Sequence, residues 1–344
     1  MSAFYESASD DKSGVRVRGR SYLAGADSLD VPEFIPRVSR EQFLTLARPW
    51  QEGSLARVAE QCREIIDKSL YEQGAIIFKD LPLHNASDFN AFINQLGYAP
   101  FSYNGGIAVR NQVAGHVLMA SNEDSRITLA PHNEMAYLLE FPRKLFFFCA
   151  REGLEGGEVP ISDIRESVKQ ICPNVLARFR DVGIRYYRNL PRATAINEIG
   201  WEETFGTSDK STIEQIMLEK GYEFVWDKQD RLSYSYVNPA FVTHPDTGEE
   251  LWFNQVTELH CSYWRNHPQF PPDLPDNAYP ATTAYGDGTP IPVELITYLR
   301  AVLWQPAKAV KMRQGDLLAL DNLVIQHGRI GFSGPRQHMV SITA

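Results

Sequence analysis

The sequence predicts an α+β fold in which helices come first and an antiparallel β core follows. Capped, amphipathic helical patterns dominate residues 39 to about 98. From about residue 100 onward, short apolar or alternating runs are broken by Gly, Pro, Asn and Asp, which is typical of the strands of a barrel or sandwich. Regular βαβ alternation and glycine-rich nucleotide motifs are both missing from the sequence, so a doubly wound parallel sheet is not indicated.

The amino-terminal part is predicted to contain an arm, three helices and a strand. Residues 1–38 are polar, charged and aperiodic, which predicts a flexible N-terminal arm, with local packing at "FIPRV", ahead of a single domain over 39–344. The domain is expected to begin with a capped helix in "SREQFLTLARPW", with Ser39 as the N-cap. A long helix is predicted from Leu55 to Gly74, because apolar residues recur every three or four positions and a glycine ends it. A buried strand, "AIIFKDL", and a second capped helix, "SDFNAFINQLGY", follow.

The remainder of the chain is predicted to be mainly strands with helices inserted between them. The strand-like runs are "GHVLMA", "RKLFFFCA", "GEVPISD", "GIRYYRN", "RLSYSYV" and "ELWFNQV". A helical insertion is expected at about 163–222, and a further helix in "PVELITYLRAVLWQP", which has Pro in its first turn and beyond its end. The carboxyl-terminal tail after residue 306 is predicted to form three strands separated by tight turns.

Composition and charge limit the classes of partner. The formal net charge is -9 and the sequence pI is about 5.5, which argues against non-specific binding to nucleic acid or to an anionic membrane. Four cysteines without a C-x-x-C pair indicate a reducing compartment. The sequence begins without a signal peptide and has no run of 18 apolar residues, so a cytoplasmic protein is expected. The expected partner is a small molecule, and the oligomeric state stays open.

Two His-x-acid triplets are the first candidates for a metal site. They are His132-Asn133-Glu134 and His244-Pro245-Asp246, and composition alone predicts about one such triplet by chance. In a strand, residues i and i+2 point to the same side, so His132 and Glu134 would aim an imidazole and a carboxylate at one point. The second triplet lies in the turn sequence "HPDTGEE", which is a poor setting for a preorganised site. The first triplet is therefore preferred.

A facial iron site needs a second histidine from another strand. The candidates after the first triplet are His244, His260, His267, His327 and His338. His327 ends the strand-like run "NLVIQ", and Arg336 follows it by nine residues. An arginine at that distance could bind a carboxylate with two parallel hydrogen bonds. Residue reasoning alone leaves the choice among these histidines open.

The combined pattern "PHNE … GGE … WFNQ … GD … DN … HGR … F.GPR" resembles the Fe(II)/2-oxoglutarate-dependent oxygenases of the TauD/TfdA type, and within them the clavaminate-synthase-like branch. The resemblance covers roughly residues 75 to 344. It implies a double-stranded β-helix (jelly-roll) core that uses Fe(II), 2-oxoglutarate and O₂. The metal ligands that it implies are His132, Glu134 and His327, and the implied cosubstrate arginine is Arg336.

The sequence departs from the pattern of this family at one position. Members of this family often have Thr after the "GG-acid" motif, where this chain has Val159, so the cosubstrate carboxylate is expected to rest mainly on Arg336 with Ser121 or Ser162. The implied reaction is hydroxylation, desaturation or cyclisation of a small molecule, with an amino acid or peptide-like acid of secondary metabolism as the expected substrate. The ligand Glu134 keeps the position that halogenases of this family leave to chloride.

Candidate substrate residues are Tyr103 and Arg110 in "SYNGGIAVRNQ" and Phe253 and Gln255 in "LWFNQ". Arg188 and Asn189 in "YYRNLP" are weaker candidates. Three alternatives remain: a non-catalytic jelly-roll that binds a small acid or metal, a zinc hydrolase with the same ligands, and core histidines that bind no metal.

Overall fold

The computed structural model describes residues 14–25, 31–38, 44–47, 54–195 and 198–344. The α-helices, in chain order, are α1 Leu55–Gln73, α2 Ala86–Leu96, α3 Ile164–Val168, α4 Pro173–Val182, α5 Trp201–Phe205, α6 Lys210–Glu219, α7 Cys261–Asn266 and α8 Val293–Trp304. Short 3-10 helices lie at Arg20–Tyr22 and Asp276–Ala278.

The strands of the first half are β1 Val15–Arg16, β2 Phe34–Ile35, β3 Leu44–Ala47, β4 Ala75–Lys79, β5 Gln112–Ala114, β6 Val117–Met119, β7 Leu129–His132, β8 Lys144–Arg151, β9 Glu155–Gly156 and β10 Val159–Asp163. Those of the second half are β11 Ile184–Leu190, β12 Glu223–Trp226, β13 Leu232–Asn238, β14 Phe241–Thr243, β15 Glu250–Trp252, β16 Ala281–Tyr285, β17 Lys308–Val310, β18 Leu317–Asp321, β19 Ile325–Arg329, β20 Phe332–Ser333 and β21 Gln337–Thr343.

Two sheets build the jelly-roll core. The larger has seven strands in the order β3-β4-β18-β8-β21-β6-β5, and the smaller has four in the order β17-β10-β19-β7. All these pairings are antiparallel except the parallel pair of β3 and β4. Apolar side chains from both sheets, such as Phe147 of β8 and Ile161 of β10, belong to one buried cluster. The two sheets therefore pack face to face, as in a β-sandwich.

The run "LFFF" within β8 is apolar on both sides because both faces of this strand are covered. Leu145 and Phe147 point into the space between the two sheets, whereas Phe146 and Phe148 belong to a second cluster that includes side chains of α1 and α2. Side chains alternate in direction along a strand, so covering both faces requires a continuous apolar run. The predictions of α1, β4 and α2 from the sequence are confirmed, with Gly74 and Gly97 at the helix ends in positive φ.

The predicted helical insertion at about 163–222 also contains a strand. Its first expected helix is divided into α3 and α4, because Pro173 occupies the first turn of a new helix. β11 then runs between β13 and β16 in a separate four-stranded sheet of order β12-β13-β11-β16. None of the helices in the described ranges has the length and hydropathy that a membrane span needs.

The N-terminal predictions need two corrections. Residues 44–47, expected in a helix that begins at Ser39, form β3 beside β4, while Ser39 itself lies outside the described residues. The described parts of the predicted flexible arm, 14–25 and 31–38, pack on the domain: Val17 and Ile35 are buried with Trp304 and Ile330. These apolar side chains are hidden among charged neighbours in the sequence, so no period reveals them. The division into arm and domain is otherwise still a prediction.

The carboxyl-terminal tail contains more strands than predicted. The first two expected strands, divided by a turn at Gln314-Gly315-Asp316, correspond to β17 and β18, and the third, after a turn at Asp321-Asn322, is divided into β19, β20 and β21. β18 and β21 both pair with β8 in the larger sheet, whereas β19 lies in the smaller sheet. The tail thus crosses between the two sheets, and this crossing carries His327 of β19 toward β7.

Candidate active site

Two histidines from neighbouring strands meet in the smaller sheet. His132 ends β7 and is the register partner of His327 in β19. Their ring centroids lie 4.6 Å apart, and Phe147 of the opposite sheet lies 5.0 Å from the His327 ring. Antiparallel pairing places directly opposite residues on one face of the sheet. The fold therefore brings together two imidazoles that are far apart in sequence.

Glu134 is positioned by a turn and not by the strand expected from the sequence. β7 ends at His132, and the turn that follows contains Met135 at a φ of 56°. The Glu134 N–H donates to Asn322 Oδ1 at 2.7 Å, and Asn322 Nδ2 donates to Glu134 O at 3.0 Å. Asn133 is fully buried and donates to Asn322 O at 2.6 Å. The alternation argument predicted that the His132 and Glu134 side chains meet, as they do, but a turn and not a strand supplies the geometry.

The three side chains form a cluster that suits a divalent metal ion. His132, Glu134 and His327 offer ligand atoms that all lie within 4.8 Å of one another, and this is the one such group found in the described ranges. His327 Nε2 lies 3.7 Å from Glu134 Oε2. His132 Nδ1 lies 2.8 Å from Ala130 O, which leaves Nε2 available to a metal. Two histidines and one carboxylate on adjacent positions match the facial ligand set of non-haem Fe(II).

The electrostatics of the cluster keep its donors in the forms that bind metals. Burial, with the neighbouring His327, lowers the pKa of His132 to about 4, so its imidazole is neutral near pH 7. Burial alone would raise the pKa of Glu134, but Arg110 and the two histidines hold it well below its usual range. Arg110 Nη2 lies 2.6 Å from Glu134 Oε2, within an almost fully enclosed ion pair. The carboxylate is therefore ionised and held in place from its outer side.

A small cavity of about 40 Å³ beside the cluster contains the predicted cosubstrate residues. His132, His327, Val159, Ser121 and Arg336 all line it. Arg336 Nε donates to Gly157 O at 3.0 Å, which fixes the plane of the guanidinium.

Arg336 has the surroundings of an anion-binding residue. Burial, with the nearby charge of Arg329, lowers the pKa of Arg336 to about 9. No carboxylate lies within ion-pair distance of Arg336 in the part of the chain that the structure describes. A buried guanidinium without a counter-charge is costly, so an anion at this position would be strongly favoured. Ser162, the alternative to Ser121, donates to Leu303 O and lies outside this cavity, because its side chain points into the core.

A larger cavity of about 170 Å³ adjoins the same cluster and is lined by two of the predicted substrate residues, Tyr103 and Arg110. The Arg110 guanidinium lies 4.8 Å from the centre of the Tyr103 ring. The structure does not bring the third predicted substrate residue, Phe253, to this cavity: it is 1% exposed and packs against Phe141. Gln255, two residues further along and also beyond the end of β15, does line it and donates to Asn133 O.

The weaker sequence candidates lie elsewhere. Asn189 donates to Ala278 O and belongs to the separate four-stranded sheet. The Arg188 guanidinium is buried 5.8 Å from the centre of the Tyr137 ring and does not line the cavity. His244 of the second triplet lies 3.2 Å from Asp321 and outside the metal cluster, which agrees with the preference for the first triplet.

The sequence analysis missed many residues that line the larger cavity. Among them are Glu258, Tyr263 and Trp264, in and just before α7. Burial raises the pKa of Glu258, while the Thr257 hydroxyl, His132 and Arg300 oppose that shift. No spacing relates "TELHCSYW" to the metal triplet, so only the folded chain brings these residues to the site. Glu258, as the one acidic residue of this segment, was the only available signal.

The jelly-roll core and the two-histidine, one-carboxylate cluster are the features of the non-haem iron oxygenases as a class. Comparison with known proteins narrows this class to one family. Residues 41–343 match the model of the family "Taurine catabolism dioxygenase TauD, TfdA family". The chain belongs to this TauD/TfdA family, and it is a 2-oxoglutarate-dependent non-haem iron dioxygenase that uses Fe(II), 2-oxoglutarate and O₂.

Two relatives and one solved structure are similar to the chain over most of its length. A clavaminate synthase-like protein of Arabidopsis thaliana is 30% identical over 291 residues, which is 81% of this chain and 84% of the relative. The dapdiamide synthesis protein DdaC of Enterobacter agglomerans is 28% identical over 283 residues, covering 80% and 84% respectively. The crystal structure of PvcB from Pseudomonas aeruginosa superposes with a TM-score of 0.48 at 15% identity, over 91% of each chain.

Proposed function

We propose that His132, Glu134 and His327 hold the iron, and that Arg336 with Ser121 binds the far carboxylate of 2-oxoglutarate. The observation that carries this proposal is that His132 lines both cavities at the cluster. One cavity contains the buried Arg336, and the other is the larger space suited to a substrate. A metal at the cluster would thus contact a cosubstrate on one side and face a substrate on the other.

Iron at this position supplies the redox chemistry that couples oxidative decarboxylation of 2-oxoglutarate to oxidation of the substrate. For a hydroxylation, R–H, O₂ and 2-oxoglutarate become R–OH, succinate and CO₂. The protein's side chains position the reactants. Arg336 orients the cosubstrate through a guanidinium that Gly157 O holds in plane, and Phe147 covers His327 and excludes water. Arg110 holds Glu134 and reaches the substrate cavity.

The proposed substrate is an amino acid or a peptide-like acid of secondary metabolism. A cavity of about 170 Å³ is smaller than the roughly 300–1,000 Å³ of sites for drug-sized ligands, which favours a small substrate. The Arg110 guanidinium in its wall suits a substrate carboxylate. The name of the relative DdaC assigns that protein to a synthetic pathway, which supports a biosynthetic reaction here. A cytoplasmic location stays a prediction from the sequence.

The alternative is a non-catalytic jelly-roll that binds a small acid or metal. Anaerobic titration of the protein with Fe(II) and 2-oxoglutarate, followed by addition of O₂, separates the two. The enzyme is expected to give the weak visible absorption of an iron–keto-acid chelate and then to release succinate. The scaffold would give neither, or would give the chelate without succinate on addition of any candidate substrate.

Variants with matched controls test the proposed roles of His327 in iron binding and Arg336 in 2-oxoglutarate binding. His327→Ala is expected to abolish the absorption band and stoichiometric iron binding, whereas His116→Ala, at an exposed histidine, leaves both unchanged. Arg336→Gln is expected to weaken 2-oxoglutarate binding by about 10–100-fold while iron binding persists, since a charge-assisted contact is lost. Arg180→Gln removes an exposed ion pair with Glu250 and serves as the arginine control. Full iron binding by His327→Ala would contradict the assignment.

A further inference from the structure

One carboxylate in the larger cavity has an oxygen that the protein leaves unbonded. Glu258 Oε1 accepts a hydrogen bond from Thr257 Oγ1 at 2.6 Å. Glu258 Oε2 is buried and has no hydrogen-bond partner among the described residues. Since a buried carboxylate oxygen without a partner is costly, its position in the wall of a cavity indicates that a bound molecule completes its hydrogen bonding.

The nearest arginine of the core does not supply that partner. Arg300 is buried close enough to influence the charge of Glu258. Its two terminal nitrogens donate elsewhere, Nη1 to Ser262 Oγ at 2.9 Å and Nη2 to Thr257 O at 2.6 Å. Arg300 therefore favours an ionised Glu258 through space but leaves Oε2 available to a ligand.

The same cavity contains complementary donors. Arg110 Nε and Trp264 Nε1 are buried N–H groups that also have no hydrogen-bond partner in the described part of the chain. One carboxyl oxygen and two N–H donors, one of them on a cationic side chain, thus face a single space without protein partners among the residues that the structure describes. A molecule with an ammonium group and a carboxylate would satisfy all three, whereas a plain acid would leave Glu258 Oε2 unpaired.

We propose that Glu258 binds a protonated amine of the substrate, so that the substrate class is amine-bearing acids, with the ammonium on Glu258 and the carboxylate on Arg110. This inference rests on the proposed function, because it takes the larger cavity to be the substrate site. It makes Glu258 a residue that determines specificity and not one that takes part in binding iron or 2-oxoglutarate.

The experiment compares molecules that differ only in the amine. The probes are the proteinogenic L-amino acids and simple dipeptides, each paired with the analogue in which a hydroxyl replaces the α-amine. Binding is measured as the shift in melting temperature of the protein incubated with Fe(II) and 2-oxoglutarate without O₂. Turnover is measured as probe-stimulated succinate release in air. The variants are Glu258→Gln, which removes the charge and keeps the shape, and Glu60→Gln on the exposed face of α1 as the matched control.

At least one amine-bearing probe is expected to stabilise the protein and stimulate succinate release, and its hydroxy analogue to bind at least about tenfold more weakly. Glu258→Gln is expected to remove that preference and to leave the affinity for 2-oxoglutarate unchanged, while Glu60→Gln behaves as the unaltered protein. Equal responses to both members of every pair, including no response to any probe, would overturn the inference.

Failure of the proposed function would look different from failure of this inference. If the unaltered protein bound no 2-oxoglutarate in the presence of Fe(II), the proposed function itself would fail. If 2-oxoglutarate bound normally and Glu258→Gln kept the preference for the amine, only the role of Glu258 would be wrong.

Discussion

Asn322 holds both sides of the Glu134 backbone. Its side-chain carbonyl accepts from Glu134 N at 2.7 Å, and its amide donates to Glu134 O at 3.0 Å and to Pro142 O at 2.7 Å. The amide of this single residue, in the turn between β18 and β19, therefore fixes the turn that carries Glu134. The strand β19 that follows carries His327, so the positions of the two proposed ligands Glu134 and His327 are linked.

Asn322→Ala is expected to reduce iron affinity by about 10–100-fold, because partners that orient a metal ligand have effects of that size. It should also lower the free energy of unfolding by about 1–3 kcal/mol, since buried groups lose their hydrogen bonds. Asn189→Ala, at a buried asparagine outside the site, is the control and should lower stability alone. Iron binding by competition with a chelator and urea denaturation measure the two effects. Equal iron affinity in both variants would show that Asn322 is only structural.

Gly157→Ala is expected to weaken 2-oxoglutarate binding. The φ of Gly157 is 75°, and an added Cβ would lie 2.8 Å from Arg336 Cδ and 3.0 Å from its Nε. The arginine would have to move, so its contact with the cosubstrate would be misaligned. Gly221→Ala has a similar backbone penalty of about 1 kcal/mol at a φ of 67°, with no atom within 4 Å of the added Cβ. Calorimetric titration with 2-oxoglutarate should separate the two variants, and an equal affinity would contradict the role given to Arg336.

Val159→Thr is expected to tighten 2-oxoglutarate binding several-fold, since it adds a hydroxyl to the wall of the cavity that contains Arg336. In the absence of cosubstrate the variant should lose about 1–3 kcal/mol of stability, the cost of burying a hydroxyl without a partner. Val310→Thr makes the same change at a buried position of β17 outside the cavity. Melting temperatures with and without 2-oxoglutarate test this. 2-Oxoglutarate should restore the lost stability of Val159→Thr but not that of Val310→Thr. If it does not restore the stability of Val159→Thr, residue 159 does not contact the cosubstrate.

Asp316→Asn is expected to stabilise the protein in a pH-dependent way. Burial raises the pKa of Asp316 to about 6, opposed by the Arg313 N–H and Lys79 and assisted by Asp80. The fold therefore disfavours the ionised form: the cost is nil below the unfolded pKa of 3.8 and complete above about pH 6. Asparagine resembles the neutral acid and can still accept from Arg313 N. Urea denaturation should show a gain of about 1–3 kcal/mol at pH 8 that shrinks toward pH 4. A gain independent of pH would refute this explanation.

Sequence patterns predicted those elements whose own residues contain the signal. The long helix α1 has a regular apolar period and ends at Gly74, and β8 is an apolar run flanked by charged residues. The strand β3 was mistaken for a helix because its environment is provided by β4, which lies elsewhere in the sequence. Packing was expected at "FIPRV" but not at Val15 and Val17, because arginines separate these apolar residues in the sequence.

In the candidate site, too, some residues could be predicted from local sequence and others are brought in only by tertiary packing. The spacing of His132 and Glu134 and the position of Arg336 after His327 could be read from the chain, and the structure brings all four residues to adjoining cavities or the cluster between them. Alternation could not distinguish Phe253 from Gln255, because β15 ends at Trp252 and the residues after it follow no strand period. Glu258 was missed because its proximity to the site arises only from tertiary packing.

The packing of the N-terminal segments on the domain has a practical consequence for anyone who shortens this gene. Val17 and Ile35 cover Trp304 and Ile330, and Ile330 comes directly after the last residue of β19. Thr128, just ahead of β7, donates its hydroxyl to Arg18 O. A protein expressed from near residue 39 onward would lack these N-terminal contacts beside both histidine-bearing strands. A loss of iron occupancy in such a protein would then result from the missing contacts and not from the chemistry of the ligands.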